Sequence, residues 1–147
     1  MKKLSLLLSL CSLTLLVQAQ KLSADSWKIS WKKKVIIETT LENESANTRK
    51  IKSSDLAKNY ILEISYKEGD VKKQKEWKRS FMFFNETDNE LLRKDSTGDW
   101  KVTATELKKI FGGKKKIKIY TMALPTDPNM AARVRVRRVH LCTLELY

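Results

Sequence analysis

The sequence predicts a mainly β chain, an antiparallel β-sandwich of the Ig-like or a related type, with a single domain over residues 20–147. Two patterns and a cysteine count predict it. Apolar residues recur at every second position in stretch after stretch, the period of a strand with one buried face. One segment alone carries helical spacing, so a second layer of helices is not expected. Of two cysteines, Cys11 lies in a segment expected to be removed, which leaves Cys142 without a partner. The core must then hold by packing, without an intramolecular disulfide.

The elements follow in chain order. Trp27, Ile29 and Trp31 alternate with Lys28 and Ser30, a first strand. A turn at Lys32-Lys33-Lys34 leads into Val35-Ile36-Ile37, its hairpin partner. Residues 41–50 are polar and read as a loop. Tyr60, Leu62, Ile64 and Tyr66 alternate with Ile61, Glu63, Ser65 and Lys67 in the clearest strand, and Glu68-Gly69-Asp70 turns the chain. Trp77 to Phe84 is a strand apolar on both faces toward its end, which suits an interior position. Trp27, Trp31, Trp77 and the Phe81–Phe84 run read as core. Residues 85–99 read as a second polar loop.

Thr103-Ala104-Thr105-Glu106 fits a capping box, with Leu107, Ile110 and Phe111 on one face and Gly112-Gly113 as the stop, so a short helix is expected over 104–111. Ile117 and Ile119 then alternate with Lys116, Lys118 and Tyr120, and Pro125 and Pro128 end that strand. In the last strand Arg133, Arg135 and Arg137 alternate with Val134 and Val136. From Arg138 the phase changes, which predicts a β-bulge near Arg137-Arg138.

Two stretches match in order, which suggests a duplication. Trp27–Trp31 aligns with Trp77–Phe81, Ile51–Lys58 with Val102–Lys109, and Leu62, Ile64 and Tyr66 with Ile117, Ile119 and Thr121. The C-terminal strand falls outside this repeat.

The N-terminus reads as a signal peptide over residues 1–19. Lys2 and Lys3 form a positive start, Leu4 to Val17 an apolar run, and Val17-Gln18-Ala19 a cleavage site. The run is about 14 residues, short of the roughly 20 that a spanning helix needs. The mature chain is therefore expected to be exported, periplasmic or extracellular, with no transmembrane segment.

Charge is the strongest bias, at +13 overall. A surface this basic draws anions, from nucleic acid to acidic glycans and lipid headgroups. The candidate anion-binding residues are Lys32, Lys33, Lys34, Lys114, Lys115, Lys116, Arg133, Arg135 and Arg137, with Lys72, Lys73 and Lys75 beside another turn. The arginines would lie about 7 Å apart on one face of a strand. Aromatic residues are not interleaved with these cations, which argues against sequence-specific nucleic-acid recognition.

No catalytic, metal or cofactor motif emerges. His140 and Cys142 sit two apart on one strand and would share a face about 7 Å apart, too far for a direct thiolate–imidazole bond. Asp88, Glu90, Asp95 and Asp99 cluster in the second loop without the fixed spacing of a calcium loop. Asn43-Glu44-Ser45 and Asn85-Glu86-Thr87 have the form of glycosylation sequons, expected to be silent in a bacterial host.

The ending Ala131-Ala132-Arg133-Val134-Arg135-Val136-Arg137-Arg138-Val139-His140-Leu141-Cys142, after Leu124-Pro125-Thr126-Asp127-Pro128, resembles that of a group of uncharacterised exported bacterial β-sandwich proteins. That resemblance implies compartment and overall build, and no activity. The expected function is a non-enzymatic binding or accessory module of the cell envelope, with an unknown protein or a surface glycan as partner. An anion-binding domain for acidic glycan, lipopolysaccharide or another polyanion is the alternative, and an unrecognised hydrolase a second.

Overall fold

A computed structural model describes residues 24–70, 75–95 and 98–147. The expected signal segment, Lys72 and Lys73 lie outside the described residues. Strand β1 (Ser26–Trp31) turns Trp27, Ile29 and Trp31 inward, and β4 (Ile61–Lys67) turns Leu62, Ile64 and Tyr66 the same way. Because side chains alternate along a strand, each such trio makes one continuous apolar face that must be covered. The cover comes from Phe81 and Phe83 of β5 (Trp77–Phe84), Ile117 and Ile119 of β8 (Lys116–Pro125), and Leu141, Cys142 and Leu144 of β9 (Val139–Leu146). At roughly 1.5–3 kcal/mol for each large apolar side chain removed from water, this shared core is the dominant stabilising term.

The described residues form two facing sheets, with strand orders β2-β1-β4-β7 and β3-β9-β8-β5-β6. Here β2 is Lys34–Thr39, β3 Thr48–Ile51, β6 Glu90–Asp95 and β7 Asp99–Thr103. Neighbours run antiparallel except β3 and β9, which are parallel. The expected mainly β sandwich is the fold found, with the expected short helix over 104–111 and a further single-turn helix before the last strand. Strand β5 is an interior strand, and Ser80 to Phe84 are buried on both faces. Trp77, at its start, is half-buried and stands outside the core proper.

Two expected loops contain strands. Residues 41–50 include the start of β3, and residues 85–99 include all of β6 and the start of β7. Strands β3 and β6 lie at sheet edges, so neither needs a full apolar face, and β6 has no alternation to reveal it.

Helix α1 (Ala104–Phe111) forms as its caps predict. Thr103 Oγ1 accepts from the Glu106 N–H while the Glu106 carboxylate accepts from the Thr103 N–H, and Gly112 closes the helix at φ +51°. Leu107, Ile110 and Phe111 plug one end of the sandwich beside a 3-10 turn, Ser53–Ala57, that contributes Leu56.

The C-terminal region departs from expectation. After a short helix α2 (Pro128–Ala131) the chain turns through Arg133 and Val134, whose N–H groups both donate to the Met130 carbonyl, and residues 135–138 follow without ladder pairing, so the arginines are not on a strand. The valines there are half-buried and Arg133, Arg135 and Arg137 exposed, so the alternation in the sequence is real although the strand is not. The bulge lies further on: Ile119 faces Cys142 and Tyr120 faces His140, which leaves Leu141 as the extra residue. The bulge points Leu141 and Cys142 both into the core and His140 to the outer face with Tyr120. His140 and Cys142 therefore do not share a face. The Leu141 carbonyl accepts from the Trp27 indole N–H at 3.0 Å, tying the two sheets together.

Candidate functional site at the lysine-bearing end

The β1–β2 hairpin is built on two residues, Lys32 and Lys33, at φ +55° and +62°. Both central positions of such a turn need positive φ, which favours Asn-Gly. A lysine in that conformation costs about 1 kcal/mol. Lys32 has local compensation. Its ammonium forms an ion pair with the buried Asp55 of the 3-10 turn and lies 5.0 Å from the Tyr60 ring centroid. Lys58 approaches the same carboxylate at 3.7 Å and the same ring at 5.8 Å. The Lys32 hydrogen bond to Asp55 holds that carboxyl below its ordinary range and raises the Lys32 ammonium. No described partner offsets the strain at Lys33, which lines a hollow of about 310 Å³ with Tyr60, Asn59 and Glu63.

On the other flank of the 3-10 turn lies a larger hollow of about 530 Å³. Leu146 and Tyr147 contribute its apolar surface above the buried Leu56 and Phe111, and Lys108, Lys114 and Lys115 its cations. Helix α1 positions these lysines. Lys108 is in its last turn, and the left-handed Gly112 and Gly113 reverse the chain to present Lys114 and Lys115. A Cβ on Gly112 would come 3.5 Å from the Lys114 ammonium. That is ordinary contact distance, so the left-handed φ is what favours glycine here, and the turn it makes sets Lys114 near the helix C-terminus, where positive charge is favoured.

The fold therefore gathers two of the lysine runs named from sequence, 32–34 and 114–116, at one end of the sandwich. It adds Lys52, Lys58 and Lys108, which sequence reasoning passes over because none of them belongs to a run of three lysines. Lys33, Lys34, Lys52, Lys108, Lys114 and Lys115 form no ion pair among the described residues. Lys116 is committed, at 2.9 Å from Glu145 and 3.8 Å from Glu86.

The arginines are elsewhere. The eight residues of β9 separate them from the lysines by roughly 25 Å at 3.3 Å per residue. Arg137 is paired with Glu42 at 2.6 Å, and Arg133 and Arg135 form no ion pair among the described residues. Arg135 and Arg137 rim a hollow of about 210 Å³ at the mouth between the sheets. Inside it the Arg79 guanidinium stacks 3.7 Å above Tyr66 and pairs with Glu68. Asp25 accepts from the Tyr66 hydroxyl and the Gly69 N–H, both at 2.8 Å. Burial and the Asp25 hydrogen bond raise the Tyr66 phenol. Asp25 and Glu68 thus line one cleft, but each is engaged in holding the mouth together. Sequence reasoning misses this group because Arg79 and Tyr66 meet only when the sheets face each other.

The remaining chemical candidates are placed as follows. Burial pushes the Cys142 thiol up to about 12, which makes it a poor nucleophile. His140 shares a 2.9 Å hydrogen bond with Thr143 Oγ1 and stacks edge-on against Tyr120. Asp88 pairs with Arg138, Glu90 with Arg93, and Asp95 accepts from Ser80 Oγ, so three of the four clustered acids point to separate partners. No group of three His, Cys, Asp or Glu side chains suited to a metal ion is present among the described residues. No helix among them is long and apolar enough to cross a membrane. No protein-family model matches the chain, and no curated protein matches it as a relative.

Proposed function

We propose that this is an exported binding module whose lysine-bearing end engages polyanions, with acidic glycan or lipopolysaccharide as the ligand class. The observation that carries the reading is the gathering of lysines 32–34, 52, 58, 108, 114 and 115 around one 3-10 turn, six of them with no acidic partner among the described residues. Unneutralised cations on a single surface concentrate anions and release their counterions on binding. The strained lysine turn supports the same reading. Where a Gly would remove strain at no cost to the fold, Lys33 contributes only an exposed charge. Export is supported by Lys2, Lys3 and the apolar run Leu4–Val17.

The proposed duplication has its own support in strand order. Strand β1 is flanked by β2 and β4, and β5 by β6 and β8. The next strand of each half, β3 or β7, crosses to the opposite sheet and runs into a helical turn. In this reading β9 is an added strand inserted between β8 and β3.

Heparin-column elution and a titration against salt test the function. The expected result is retention at low salt that falls steeply as salt rises. Lys33→Glu with Lys115→Glu should flatten the slope of log K against log salt by about one for each lysine that no longer meets an anionic group. Flow-through at low salt, or a slope unchanged in the double variant, contradicts the reading.

A further inference from the structure

Polyanion binding needs only surface charge, and the larger hollow at the lysine-bearing end has more than that. It is an open depression of about 530 Å³, within the roughly 300–1,000 Å³ range of small-molecule sites. The apolar surface it offers a ligand comes from half-buried Leu146 at the end of β9 and exposed Tyr147, over a floor of Leu56 and Phe111 that are themselves buried in the core. Its charge is all of one sign among the side chains lining it: Lys108, Lys114 and Lys115. Ser53 stands exposed at the lip, its N–H and hydroxyl both donating to the Tyr147 carbonyl at 2.9 and 3.1 Å. That closes the hollow on the side of the 3-10 turn. An apolar trough beside three unpaired ammoniums is complementary to a ligand that is anionic at one end and hydrocarbon at the other.

We propose that this hollow binds a single-chain anionic amphiphile, with its phosphate or carboxylate headgroup against Lys108, Lys114 and Lys115 and its alkyl chain along Leu146 and Tyr147. The inference rests on the polyanion reading for its charged half and adds a chain-binding half. Lysine suits a headgroup of either kind, because its ammonium is a point charge with three donors and no fixed fork. The apolar half sets the selectivity. Each methylene buried strengthens binding by a constant increment, so a chain of a few buried carbons separates the amphiphile from its bare headgroup by tenfold or more.

Isothermal titration of the full chain with dodecyl phosphate below its micelle concentration tests this, with dodecanol, dodecanoate and inorganic phosphate as the other arms. The expected result is one site for dodecyl phosphate, at least about tenfold tighter than for dodecanol or inorganic phosphate. Dodecanoate should bind if any anionic head serves; its failure assigns the site to phosphates. Ser53→Trp would fill the hollow without removing charge, and should weaken dodecyl phosphate at least about tenfold while heparin elution stays unchanged. Lys108→Glu with Lys115→Glu should weaken both ligands, and guards against Ser53→Trp failing to fold. Dodecyl phosphate binding no tighter than inorganic phosphate, or untouched by Ser53→Trp in folded protein, overturns the amphiphile site. If heparin binding persists in that case, the polyanion reading stands alone; if heparin also fails to bind, both fall.

Discussion

Single side chains in this protein show where stability and surface chemistry pull apart. Lys33 holds a left-handed backbone conformation with no described partner to compensate. Lys33→Gly should therefore raise stability, by about 0.5–1 kcal/mol after the extra flexibility of the unfolded chain is subtracted. The same change should weaken heparin binding by removing a charge. Urea midpoint and elution salt would move in opposite directions, and a variant that loses stability would contradict the strain assigned to this turn. His140 makes a second prediction, about pH. Burial lowers its affinity for a proton in the folded state, with Lys118 adding to the effect and Glu44 and Glu42 opposing it. The unfolded chain then takes up a proton first as pH falls through 6.5, the ordinary value. Stability is full above that pH and declines as the pH drops toward the folded-state value. Urea midpoints should fall between pH 7.5 and 5.5, and the fall should shrink in His140→Phe. A pH-independent wild type over this range would contradict the assignment.

Elements differ in how plainly their sequence announces them. Helix α1 carries every signal it needs, and its Thr103–Glu106 capping box is the most direct case. Thr103→Ala should cost about 1 kcal/mol, read by urea denaturation, because the Glu106 N–H at the helix start loses its acceptor. An unchanged midpoint would mean that packing of Leu107, Ile110 and Phe111 alone defines the helix. Strands β1, β4, β5 and β8 are equally legible, since each buries one face or both. Strand β6 is not, because in this edge strand only Leu91 turns toward the core and there is no alternation to show. Residues 133–138 mislead in the opposite direction. Half-buried Val134 and Val136 between exposed arginines reproduce strand periodicity in a segment with no ladder partner. The phase change in the sequence points to a bulge but not to its place. Burial of Leu141 and Cys142 together, with His140 on the far face, depends on which residue of β8 each one meets.

At the scale of the molecule, connection order decides what the charge can do. Lysines 32–34 and 114–116 are about 80 residues apart in the chain, and nothing in their spacing brings them together. They meet because β1 ends, β4 begins and β8 begins at the same end of the sandwich, where Asp55 draws in Lys32 and Lys58 and α1 delivers Lys108, Lys114 and Lys115. The arginines of 133–137 belong to the opposite end, and one of them is already neutralised by Glu42. Among the described residues the two clusters thus lie on separate surfaces, of which the lysine-bearing one holds more unpaired cations. Amide chemical-shift mapping by NMR during titration with a heparin hexasaccharide reads this division directly. The shifts should concentrate in residues 32–34, 52–60 and 108–116 and leave 133–137 nearly still. Shifts centred on Arg133, Arg135 and Arg137, or scattered evenly over both ends, would contradict a binding site built at the lysine-bearing end.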